Sequence, residues 1–120
     1  MHMTINDFLM IGIGGFFGAV IRNLISTYMN RPGEIPRGTL AVNLAGVFLI
    51  GLVFGMEIPR MWTLLLASGL AGALTTFSTM NKELIELWKN DKKNYSSLYF
   101  LLTYGGGITL AAIGYYIAAI

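Results

Sequence analysis

The chain has 120 residues, 55% hydrophobic and 12% charged, with 15 glycines, no cysteine and a formal net charge of +2. A soluble domain carries about 25% charged residues; half that share cannot cover its surface, so the composition is that of an integral membrane protein, read as one domain over residues 1–120. The same figures exclude a nucleic-acid binder, because so small a net charge over short connections makes no basic stripe, and a disulfide scaffold.

A membrane span takes about 20 mostly apolar residues, and charges mark its ends. The first candidate, Phe8 to Tyr28, is apolar apart from Arg22 and Asn23. It has no basic leader, Asp7 precedes it, and no A-x-A-like cleavage site follows, so it reads as a retained span and not a signal peptide. Gly38 to Met56 and Met61 to Asn81 carry no charge, nor does Tyr95 to Ile120, the longest run. The joints are Met29–Arg37, with Pro32, Gly33 and Pro36, then Glu57–Arg60, with Pro59, and the charged stretch Lys82–Asn94. Four spans put both termini on one side. Arg31, Arg37, Lys82, Lys89, Lys92 and Lys93 outnumber His2 and Arg60 on the other face, so the positive-inside count puts the termini outside.

Small residues crowd every span, among them Gly14, Gly18, Gly46, Gly51, Gly55, Gly69, Gly72, Gly107 and Gly114. They let helix backbones approach closely in lipid and predict a tight bundle within a larger oligomer. Polar residues at membrane depth are fewer and more informative. Arg22 either snorkels to the near interface or lines a wet vestibule that attracts anions. Asn43 is either interhelical glue or a source of two N–H donors for an anion that has shed its water.

In the third span, Gly69-Leu-Ala-Gly72-Ala-Leu-Thr-Thr-Phe-Ser-Thr-Met80 gathers glycines and the hydroxyls of Thr75, Thr76, Ser78 and Thr79 where Leu and Ile are usual. Hydroxyl side chains compete for the backbone. One reading is a helix broken near Gly72–Thr76, whose second half runs from Phe77 to about Lys89 and takes Lys82, Glu83 and Glu86 along a water-filled vestibule. Irregular backbone is tolerated at that depth only where it is buried in protein or lines a cavity, and its carbonyls can bind a cation. The other reading is an unbroken helix whose hydroxyls bond their own carbonyls. In the fourth span Tyr99, Thr103 and Gly107 share one helix face, and Tyr99 alone also suits an interfacial belt. No His lies within a span, there is no Cys, and no nucleophile has a base partner, which excludes haem, zinc and hydrolytic chemistry. The chain is not an enzyme.

Three runs together resemble the Fluc family of small bacterial fluoride channels: Gly14-Gly-Phe-Phe-Gly-Ala-Val-Ile-Arg22, Gly38-Thr-Leu-Ala-Val-Asn43-Leu-Ala-Gly46, and Gly69-Leu-Ala-Gly72-Ala-Leu-Thr-Thr-Phe-Ser-Thr79. The match covers the whole chain, including the Tyr-x-x-x-Thr-x-x-x-Gly of the last span. The resemblance implies an all-α membrane protein of four transmembrane helices, the third broken mid-membrane, forming an antiparallel dual-topology homodimer with two fluoride pores. It implies a structural Na⁺ at the dimer centre on the main-chain carbonyls of Gly72 and Thr75. Asn43, Phe77, Ser78, Thr79, Met80, Tyr99 and Thr103 would form the fluoride pathway, with Arg22 and Glu83 nearer the vestibules. Met80 stands where the family usually has a second Phe, and Thr103 where it often has Ser. The function implied is fluoride-selective leak out of the cell, relieving toxicity, by a multi-pass protein of the bacterial inner membrane. A small multidrug exporter needs a membrane-buried Glu in its first span, and this span has Arg22 and no carboxylate. A non-conducting assembly subunit would not need the Gly72–Thr79 cluster.

Overall fold

The computed structural model describes residues 3–75 and 77–120, with Phe77 described by its backbone alone. All regular structure among the described residues is helical. Helix α1 (Ile5–Met29) starts at a capping box: Thr4 accepts from the backbone of Asp7 at 3.2 Å, and the Asp7 carboxylate accepts from the backbone of Thr4 at 2.9 Å. It ends at Asn30, whose backbone is extended. A short loop with Pro32, Gly33 in the left-handed region and Pro36 leads into α2 (Arg37–Met56), which stops at Glu57, also left-handed at φ 51°. Pro59 cannot continue a helix from there, and it opens the next one.

The third span is a composite. It comprises α3 (Arg60–Thr63), a π-helical stretch (Leu64–Ala71) and α4 (Gly72–Leu74). The backbone is extended at Thr75, and α5 (Phe77–Lys89) follows. Thr76, in the middle of the hydroxyl cluster, lies outside the described residues. Helix α6 (Lys93–Ala119) closes the chain after a tight turn through Asp91, at φ 60°. Four helical stretches are long and apolar enough to cross a membrane: Ile5–Met29, Arg37–Met56, Arg60–Lys89 and Lys93–Ala119. The stretch Lys82–Asn94, one candidate joint, supplies only residues 90–92 as connection, and α5 has the extent of the other reading, a second helix half from Phe77 to about Lys89. The charges of that stretch form one side of α5, with Leu84 and Leu87 on the inner side.

Glycines set how closely the spans pack. A methyl group at Gly51 would overlap the carbonyl oxygen of Ala111, and one at Gly55 would lie 2.5 Å from that of Tyr115. Helices α2 and α6 therefore touch backbone to backbone and run parallel, with Val47, Gly51 and Gly55 meeting Gly107, Ala111 and Tyr115 in turn. Helix α1 packs likewise on the π-helical stretch: a methyl at Gly14 would come within 2.7 Å of the Leu70 nitrogen. This is the close packing that small residues permit in lipid, where burying apolar surface gives helices no drive to associate. The outward faces of α1 and α6, with Phe8, Phe16, Phe17, Leu101, Ile108 and Ile117 exposed, are those of a lipid-facing surface.

Candidate functional site

The α2–α6 seam carries polar groups as well as glycines. Thr39 and Asn43 lie one turn apart on α2, and Tyr99 and Thr103 lie one turn apart on α6. All four are buried, at 0%, 4%, 0% and 6% exposure. Thr39 and Tyr99 reach the same Glu83 carboxylate, and Asn43 and Thr103 line the same cavity, so the two pairs stand level along the seam. The result is a polar column inside an otherwise apolar bundle. Tyr99, Thr103 and Gly107 are on the buried face of α6, as their spacing predicts.

At its outer end the column meets Glu83 of α5, which is half-buried. One carboxylate oxygen accepts from the Thr39 hydroxyl at 3.3 Å and from the Asn30 amide at 3.4 Å. The other accepts from the Tyr99 phenol at 3.3 Å. Three helices and the α1–α2 loop thus converge on one carboxylate. Beyond it opens a cavity of about 300 Å³ walled by Asn30, Arg31, Glu34, Glu83, Glu86 and Lys92. Lys92 donates to the Gly33 carbonyl across its rim.

At its inner end the column opens into a second cavity of about 230 Å³, where Asn43, Thr75 and Thr103 meet Val47, Tyr104 and Gly107. The Thr103 hydroxyl is buried with no hydrogen-bond partner among the described residues. Burying a hydroxyl unpaired is costly, so a group held in this way beside a cavity is one a guest can use. An amide and a hydroxyl side by side offer donors to an anion that has left its water behind.

The remaining predicted residues fall elsewhere. Met80 is fully enclosed and packs with Leu87 and Tyr99 against Ile35, Leu40 and Leu84. Ser78 and Thr79 are exposed on the first turn of α5, and the side chain of Phe77 lies outside the described residues. Arg22 is half-buried on α1, and among the described residues no ion pair joins it to Glu83. Gly72 is exposed, and its carbonyl accepts from the Thr75 hydroxyl at 3.4 Å; that hydroxyl also reaches the Ala71 carbonyl at 3.1 Å. Tyr99 has no surface left for an interfacial belt in this chain.

Sequence reasoning missed Asn30 and Thr39. Thr39 looks like an ordinary hydroxyl at a helix start, and Asn30 like one more turn residue. The available signal was spacing: Thr39 precedes Asn43 by four residues, as Tyr99 precedes Thr103.

Residues 9–115 match the family described as CrcB-like protein, Camphor Resistance (CrcB). A protein of Lactobacillus acidophilus named fluoride-specific ion channel FluC 2 is 39% identical over 122 residues, covering 93% of this chain and 97% of that one. A Bacillus thuringiensis protein of the same name is 39% identical over 110 residues, covering 88% and 92%. Fluoride-specific ion channel FluC 1 of Geobacillus kaustophilus is also 39% identical over 110 residues, covering 91% and 95%.

Proposed function

This chain belongs to the CrcB-like family, and from that premise we propose that it is a fluoride-selective channel, a passive path by which cytoplasmic fluoride leaves the cell. It is a channel and not an enzyme. The observation that carries the reading is the buried polar column of Thr39, Asn43, Tyr99 and Thr103 with a cavity at either end. Fluoride is small and holds water strongly, so a selective path has to replace that water with N–H and O–H donors. Asn43 and Thr103 supply them at the inner cavity, and the Tyr99 phenol continues the line outward.

Phe77, Ser78, Thr79 and Met80, on the first turn of α5, complete the pathway, and Arg22 and Glu83 face the vestibules. Aromatic ring edges are electropositive and add to the donor set. The functional unit is an antiparallel homodimer with two pores in the bacterial inner membrane. In favour of a second copy, Ser78, Thr79 and Asn81, on the first turns of α5, are exposed on a helix of a membrane-spanning chain. Polar side chains at that depth face protein or water and not lipid.

The interruption at Thr75 falls at mid-membrane depth in this reading. There the carbonyls of Gly72 and Thr75 from both protomers would hold a structural Na⁺. The residues fit such an ion. Thr75 is extended at ψ 148°, which turns its carbonyl away from the helix direction, and the bond at the Gly72 carbonyl is long enough for a cation to displace. Neutral oxygens suit a hard monovalent ion. The ion would tie two broken helices together.

The test is efflux from liposomes loaded with fluoride or chloride, read with ion-selective electrodes. Fluoride release without chloride release is expected; comparable rates overturn the selectivity.

A further inference from the structure

Asn30 makes four hydrogen bonds with one side chain. Its Oδ1 accepts from the backbone N–H of Gly38 at 2.7 Å and of Thr39 at 3.2 Å. Its Nδ2 donates to the Thr39 hydroxyl at 3.1 Å and to Glu83 at 3.4 Å. The acceptor half has an evident job. Helix α2 begins after Pro36, which has no side-chain acceptor to offer, and Asn30 caps its first N–H groups from the end of α1. The fit is specific, because a methyl on Gly38 would lie 2.8 Å from Asn30 Oδ1.

Capping leaves the donor half unexplained. A hydroxyl has one proton and two lone pairs. When Asn30 Nδ2 donates into Thr39 Oγ1, it takes a lone pair and leaves the proton to point elsewhere. The acceptors in reach are Glu83 and the Tyr99 phenol oxygen, both at the mouth of the polar column. Asn30 also donates directly to that same oxygen. The arrangement is a closed triangle in which each member fixes the orientation of the others, and bonds in such a chain polarise one another.

Building on the fluoride-channel reading, we propose that Asn30 is a positioning residue for conduction. It aims the Thr39 hydroxyl proton into the mouth of the pathway and holds Glu83 beside it, in addition to capping α2. It touches no ion in this scheme and acts through Thr39.

The test separates the two jobs. Asn30→Asp keeps an acceptor for the α2 N-terminus, where a carboxylate is well suited, removes the donor and adds a charge beside Glu83; the added charge persists when Thr39 is replaced, whereas the aiming does not. The reconstituted variant is expected to elute as wild type does and to melt close to it, while its fluoride efflux falls about tenfold or more, the scale of losing a hydrogen bond to a charged group. In a Thr39→Val background, the same substitution should change efflux by no more than about twofold, since the group it aims is gone. Wild-type efflux from Asn30→Asp overturns the proposal, and so does an undiminished effect in the Thr39→Val background. If Asn30→Asp gives no folded protein, Asn30→Gln is the second variant. It keeps the amide uncharged but displaces it by one methylene, and wild-type efflux from folded Asn30→Gln overturns the proposal in the same way. Failure of the unmutated protein to release fluoride sinks the channel reading instead, so the two failures are distinct.

Discussion

At the scale of single residues, Asn43 and Thr103 separate stability from conduction. Thr103→Val is nearly isosteric and removes a hydroxyl that has no partner among the described residues. Replacing an unpaired buried polar group with an apolar one is neutral or stabilising by about 1 kcal/mol. The variant should melt at or above the wild-type temperature and still conduct fluoride more slowly; unchanged efflux would remove Thr103 from the pathway. Asn43→Asp has the opposite electrostatics. It swaps N–H donors for a carboxylate that repels an anion when ionised, and efflux should drop to background while the protein still elutes as wild type. Normal conduction by that folded variant would make Asn43 a packing residue. Asn43 was legible in the sequence, because an amide within a charge-free run has to bond something. Its alignment with Thr103 was not, since register between helices sixty residues apart is set by glycine contacts that composition does not encode. Met80 shows the opposite gap. Its sequence position pairs it with Phe77, and the fold encloses it against Tyr99.

At the scale of elements, the α2–α6 seam depends on the absence of side chains. Gly51→Val would drive a branched side chain into the Ala111 carbonyl and force the helices apart. Overpacking of this kind costs about 1–3 kcal/mol, and here it would also break the level pairing of Asn43 with Thr103. Lower melting temperature and lost efflux should therefore appear together, unlike Thr103→Val; a Gly51→Val protein with both properties intact would show that the seam can slide. Charge-free runs made the four spans legible, and prolines and charges made the first two joints legible. The extent of α5 was harder. Its charges read two ways in the sequence, as a joint or as the second half of a broken helix from Phe77 to about Lys89, and the helix has the second extent, with Leu84 and Leu87 on its other side. The π-helical stretch Leu64–Ala71 left no trace in the sequence, because Leu, Ala and Gly fit either helix; it is the stretch that α1 packs on through Gly14.

At the scale of the whole molecule, the cation and the second copy can be tested together. Because the proposed Na⁺ ligands are backbone atoms, Thr75→Val should retain both dimer and efflux, whereas purifying the protein with a large organic cation in place of Na⁺ should reduce efflux. Indifference to that exchange after prolonged incubation would argue against the ion. The exposed polar side of α5 has a further consequence for the cell. In the proposed dimer, Ser78, Thr79 and Asn81 would be covered by the second copy and kept from acyl chains, which would favour pairing wherever copies can find one another. Mass action would then govern protection. At sparse expression the number of working pores rises with the square of the copies in the membrane, and at dense expression it rises in proportion, so a modest change in gene dosage near the threshold would alter fluoride tolerance steeply.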